Sequence, residues 1–293
     1  MTETMPGTDR FSWPNSHKAA AALSFDVDAE TPLLYADPSM GSRLGLMTHQ
    51  KFGPLVGVPR ILDVLARHEV SSTFFIPGYT AERYPDMVRR IVDEGHEVGH
   101  HGYLHEPLSG LSVDEERALV DKGLESLEKV AGVRPAGFRA PMGEMSFQTP
   151  GVLLERGFEY DSSLMDSDMP YLLSGGDSGA GSLVELPFHW STDDWEQYNW
   201  IPEFDDGRPI ETPEKTHEVW RAELDGQIRY GGLFNLVNHP FVSGRAARIS
   251  ALETLVERLV ADDQIWLARL DEIAAHVRNL ELPVITHQPY ELP

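Results

Sequence analysis

The chain has 293 residues, with 24 Lys and Arg against 47 Asp and Glu, giving a formal charge of −23. That balance repels phosphate backbones and anionic lipid, so neither nucleic acid nor a membrane is expected as a partner. There is no cysteine, which rules out disulfides, thiol nucleophiles and Cys-based zinc motifs, and leaves His and carboxylates as the available metal ligands.

At 41% apolar content the chain can bury one barrel-sized core. It opens Met1-Thr2-Glu3-Thr4, which is acidic, and its first apolar run ends in Asp26 rather than a cleavage site, so no leader and a cytoplasmic location are expected. From Ala19 onward, short apolar runs alternate with helical segments, the pattern of a parallel sheet with crossover helices. A first strand is predicted over 20–28, then a long segment over 31–54 that breaks the alternation, then a helix over 58–68. A strand over 70–76 and a helix over 85–94 follow, the latter closed by Gly95. Next come a strand over 96–100 and a helix over 113–130 that Ser112 and Glu115 open as a capping box. A strand over 137–139, a helix over 150–155 and a strand over 183–186 lead to a second long segment, 187–213, holding Trp190, Trp195 and Trp200. The remaining pairs are helix 214–230 with strand 233–239, helix 249–261 with strand 265–268, and a last helix over 270–278. Seven strands and seven helices predict an α/β protein: a single distorted, TIM-like (β/α) barrel domain over 1–293 with its core at about 18–278.

The first strand ends Ser24-Phe25-Asp26-Val27-Asp28. Residues two apart on a strand point the same way, so both carboxylates face one site, and side by side they call for a metal, a nearby Arg, or both. Four of the twelve histidines then fall in His96-Glu97-Val98-Gly99-His100-His101-Gly102-Tyr103-Leu104-His105. His96 and His100 fit the H-E-x-x-H pattern of zinc peptidases, which requires a helix. His101 and His105 fit a strand end and the turn after it, where a barrel keeps its active site. With Asp28, the second pair supplies two nitrogens and one oxygen and leaves positions open, which suits one divalent catalytic metal ion, zinc above others.

These residues resemble the polysaccharide deacetylase family with its NodB-type barrel, and the likeness runs over roughly 18–278. Its first motif is similar to Asp26 and Asp28, its second to His101-Gly102-Tyr103-Leu104-His105, its third to Arg139-Ala140-Pro141-Met142-Gly143 and its last to Asn238-His239-Pro240. The resemblance implies Asp26 as base, Asp28, His101 and His105 as metal ligands, and catalytic roles for Arg139 and His239. Asp-Val-Asp and Gly102 differ from the adjacent aspartates and Ser or Thr of the extracellular members. They resemble instead the branch holding peptidoglycan-deacetylase-like proteins, cyclic imide hydrolases and allantoinase-like enzymes.

The expected activity is therefore metal-dependent hydrolysis of a non-peptide C–N bond in a small cyclic imide or amide. The alternatives are N-deacetylation of an amino sugar, and a catalytically silent binding barrel. Asp26 would take a proton from water with Arg139 keeping it ionised, and His239 would protonate the leaving nitrogen. Pro141, Trp195 and Tyr103 are expected to contact substrate, and a homo-oligomer is expected.

Overall fold

Ala19–Asp26 forms the central strand β1, and all eight of its residues are buried. Four successive alanines are poor strand formers, but here tertiary packing decides. Ala21, Leu23, Phe25 and Val27 face a helix layer, while Ala20 and Ala22 face the barrel interior, where small side chains leave room for the facing wall. The computed structural model describes residues 11–176, 181–202 and 210–289.

The other strands are β2 (Thr73–Ile76), β3 (Glu97–His100), β4 (Gly137–Phe138), β5 (Tyr160–Asp161), β6 (Tyr171–Ser174), β7 (Ser182–Glu185), β8 (Leu233–Asn238), β9 (Ile265–Leu267) and β10 (Val284–Ile285). The sheet order is β10-β6-β7-β5-β4-β3-β2-β1-β8, with β9 paired to the lower part of β1. All pairings are parallel except the β6–β7 hairpin. Among the described residues no strand ladder joins β7 to β8. That seam is spanned by the Asn235 amide, which donates to the carbonyls of Leu186 and Pro187, and by one parallel bridge between Asp193 and Val237. The sheet thus curls into a distorted (β/α) barrel, as predicted.

Gly99 and Gly137 show how narrow the interior is. A Cβ on Gly99 would sit 2.4 Å from the Phe75 ring, and one on Gly137 would sit 2.0 Å from that of Tyr160.

The predicted helices form, with Gly95 in the left-handed region and the Ser112–Glu115 capping box in place. The segment 31–54 is not a loop. It folds into Thr31–Ala36, Pro38–Ser42 and Leu44–Phe52, and a π-turn over Gly53–Gly57 runs on into Val58–Arg67. A Cβ on Gly57 would lie 2.1 Å from the Pro240 carbonyl oxygen, so this turn packs directly under the loop that follows β8. The segment 187–213 contains two short helices, Trp190–Thr192 and Asp194–Tyr198.

Candidate metal centre

Asp26 ends β1 and Asp28 follows two residues on, both buried, and strand parity turns both carboxylates to the same side. Ala29 then takes a left-handed conformation (φ 52°), turning the chain sharply away. Across β2 lies the end of β3, where His101 and His105 flank a turn built on Gly102 (φ 72°). The Glu106 carboxylate accepts the N–H groups of Tyr103 and Leu104, which closes this turn. His105 itself holds φ 65°, a strained position for a non-glycine residue of the kind that gathers at functional sites.

The Nε2 atoms of His101, His105 and His239 lie 3.4, 3.6 and 3.6 Å from the Asp28 carboxylate oxygens. Both of those oxygens are buried without a hydrogen-bond partner, a costly arrangement unless something else sits among them. Ligands roughly 2.0–2.1 Å from a tetrahedral cation stand about 3.4 Å apart, close to the spacing found here. Asp28, His101 and His105 each offer one atom, all mutually within 4.8 Å. His101 Nδ1–H donates to the Arg139 carbonyl (2.7 Å), which turns Nε2 toward Asp28. The residues present fit one divalent cation.

Asp28 is held anionic and His105 neutral, the forms in which each could bind a cation. Burial pushes the Asp28 carboxyl up, but His105, His101 and His239 outweigh it and hold the group at about 2. Burial lowers His105 to about 4 against the pull of Asp28, so it stands as a neutral imidazole. His101 is raised, because Asp26 and Asp28 overcome its burial.

His96 and His100 lie on strand β3 or beside it, not on a helix, which removes the peptidase pattern. His100 points into the helix layer, bonded to the Val120 carbonyl, and burial lowers it to about 3. Gly123 makes space for it, since a Cβ there would sit 2.2 Å from His100 Nε2.

Arg139 lies in the barrel interior below Asp26. Its Nη1 donates to Asp26 Oδ1 at 2.8 Å and to Ser24 Oγ at 3.0 Å. Nε and Nη2 bond the Ser162 carbonyl and hydroxyl, and the guanidinium rests 4.3 Å from the centre of the Phe75 ring. With every side of the guanidinium engaged, the orientation of Asp26 is fixed.

His239 follows β8. Its Nδ1 lies 2.7 Å from Asp194 Oδ1, and both oxygens of Asp194 also accept the His239 backbone N–H. Ser243 donates to the same carboxylate. Burial opposes a charge on His239, but Asp193 and Asp194 raise it well above the usual imidazole range. Burial and the neighbouring Asp194 push Asp193 up to about 8, against the pull of His239. The acid pair was not foreseen as the partner of His239. An Asp-Asp step in a tryptophan-rich segment was the available signal.

Trp195 stands edge-on to His239 with ring centres 5.1 Å apart. Pro141 is buried over Gly102, with its Cγ 3.1 Å from where a Cβ on that glycine would lie. Tyr103 is a correction. Its hydroxyl pairs with Glu82 and Lys122 sits 3.5 Å over its ring, between the helices Gly78–Arg83 and Val113–Ala131. Glu30 also faces away, bonded to Arg83 and Tyr84, and Tyr198 packs against Trp220.

A family model described as polysaccharide deacetylase matches residues 52–160. A peptidoglycan deacetylase of Helicobacter pylori is 30% identical over 246 residues, 76% of this chain and 84% of that protein. A Mycobacterium smegmatis protein described as a candidate polysaccharide deacetylase has a crystal structure that superposes with a TM-score of 0.95, at 50% identity, covering 99% of this chain and 100% of that one. The crystal structure of Puue allantoinase shares the fold at a TM-score of 0.79 and 22% identity, covering 94% of this chain and 97% of that one. Barrel and site together define a hydrolase. The chain belongs to the polysaccharide deacetylase family.

Proposed function

We propose that the protein hydrolyses an amide-type C–N bond in a small cyclic imide or amide, with Asp28, His101 and His105 holding one divalent cation, zinc before others. The observation that carries this reading is the buried, unpartnered Asp28 carboxylate facing three imidazoles. A bound cation of this kind acidifies water and polarises a carbonyl. Asp26 takes the proton of the attacking water, aimed by the hydrogen bond from Arg139. His239 delivers a proton to the departing nitrogen, its ring fixed by Asp194. Trp195 and Pro141 limit the entry of water. Small substrates suit a centre whose Asp26, Asp28, His101, His105 and His239 are each under 10% exposed.

A second reading, N-deacetylation of an amino sugar, is favoured by the name of the Helicobacter pylori relative. A catalytically silent barrel would be expected to have lost part of this set, whereas Asp26, Asp28, His101, His105, Arg139 and His239 all stand in this chain.

The test is an assay of zinc-loaded protein against succinimide-like rings and against N-acetylglucosamine oligomers. Ring opening without acetate release supports the first reading. Acetate release from the oligomers replaces it with the second, and turnover of neither substrate by fully loaded protein supports the silent barrel.

A further inference from the structure

Behind the aromatic wall of the site lies a cleft of about 320 Å³ whose lining includes His49, Asn199, Phe241, Arg245 and Arg248. Phe241 is the partition: its ring centre is 6.2 Å from that of His239 on one side and 5.4 Å from that of His49 on the other. In a chain of charge −23, two arginines facing one cleft are unusual.

Their hydrogen-bond partners are neutral carbonyls, although the Asp194 carboxylate also pulls on Arg248. Arg245 donates to the carbonyls of Phe241 and His49 and lies 3.7 Å over the Phe52 ring. Arg248 donates to the carbonyls of Val242 and Tyr198 and lies 4.5 Å from the Tyr198 ring. Among the described residues no carboxylate forms an ion pair with either. Glu211 also lines the cleft, but its carboxylate pairs with Lys215 at 2.6 Å.

Two further observations point the same way. Arg245 is the N-cap of the 16-residue helix Ala246–Ala261 and gives it no side-chain cap. The first N–H groups of a helix lack intrahelical acceptors, and the helix end carries partial positive charge, so this end can receive an anion. Independently, Asn199 is 8% exposed and its Nδ2 is buried without a hydrogen-bond partner. An unused donor costs free energy that an acceptor in the cleft would recover.

We propose that this cleft binds a small oxyanion, a carboxylate or phosphate group of a ligand, held by Arg245, Arg248, the Asn199 amide and the opening N–H groups of Ala246–Ala261. Planar guanidinium forks match both anions. The proposal does not depend on the reaction assigned above.

The test is thermal denaturation and calorimetric titration of the full chain with inorganic phosphate, and separately with acetate, against sodium chloride at equal ionic strength. At least one oxyanion should raise Tm above the chloride control, and which one does so tells phosphate from carboxylate. Asn199→Leu removes the unpaired Nδ2 donor together with the amide oxygen at similar side-chain size, and should weaken that binding at least tenfold. Arg245→Gln should do the same, and it decides the matter if Asn199→Leu fails to fold. Absence of any effect beyond chloride, or native affinity in the deciding variant, would overturn the proposal.

Discussion

Asp194 grips His239 twice, at the imidazole Nδ1 (2.7 Å) and at the backbone N–H (2.9 Å). The first contact sets which ring nitrogen faces Asp28, and the second sets where the ring begins.

Asp194→Asn should keep the shape of this contact and lose its charge. We expect kcat to fall about 100-fold, within the range of general acid–base contributions, with KM and metal content near native. A fall in metal content alongside kcat would show instead that the variant disturbs the whole centre.

Asp28→Asn replaces the one anionic member of the proposed ligand set. Metal affinity should drop by more than the roughly 10–100-fold that losing an outer hydrogen-bond partner costs. Elemental analysis after dialysis checks this, and one retained equivalent would exclude Asp28 as a ligand. In the native chain, chelation should abolish turnover and added divalent cation should restore it.

Gly57→Ala places a methyl group 2.1 Å from the Pro240 carbonyl oxygen. Backbone must move, and overpacking of this kind costs about 1–3 kcal/mol. The shift reaches the residue after His239, so kcat should fall as well as Tm. A variant with native Tm and native kcat would mean that the π-turn yields without moving the loop.

Glu97 lies at the other end of the barrel, accepting from Thr73, Tyr160 and the Asp271 N–H. Burial and the nearby Asp271 push it up to about 7 from the usual 4.5, against those hydrogen bonds. The fold therefore binds this proton more tightly than the unfolded chain does. The resulting stability is complete below about 4.5 and is lost as pH rises through about 7. Glu97→Gln should flatten the stability profile between about pH 4.5 and 7, by on the order of 3 kcal/mol. Denaturation series at several pH values read the difference, and parallel curves for the two proteins would remove Glu97 as its source.

Strand parity suffices to pair Asp26 with Asp28, because period two is a local property of the backbone, whereas His239 is legible only through the motif resemblance of Asn238-His239-Pro240. His101 and His105 were legible as a pair for a related reason: both sit at a strand end. Tyr103, between them, was misread because Gly102 and His105 take left-handed conformations and send its ring outward beneath Lys122. Local spacing carries no sign of that reversal. Asp194 meets His239 across 45 residues of sequence, which no periodicity encodes. Among the strands, Tyr160–Asp161 and Val284–Ile285 are two residues each, too short for any alternation to register. The helices of 31–52 leave no periodic signal in the sequence because they are brief and punctuated by Pro32, Pro38 and Gly41.

Arg139 steadies Asp26 with its guanidinium and His101 with its own carbonyl oxygen. A small displacement of that one loop would carry both groups in the same direction and leave their separation almost unchanged. Asp26 and His101 therefore share one anchor, and a substitution that shifts Arg139 shifts both together.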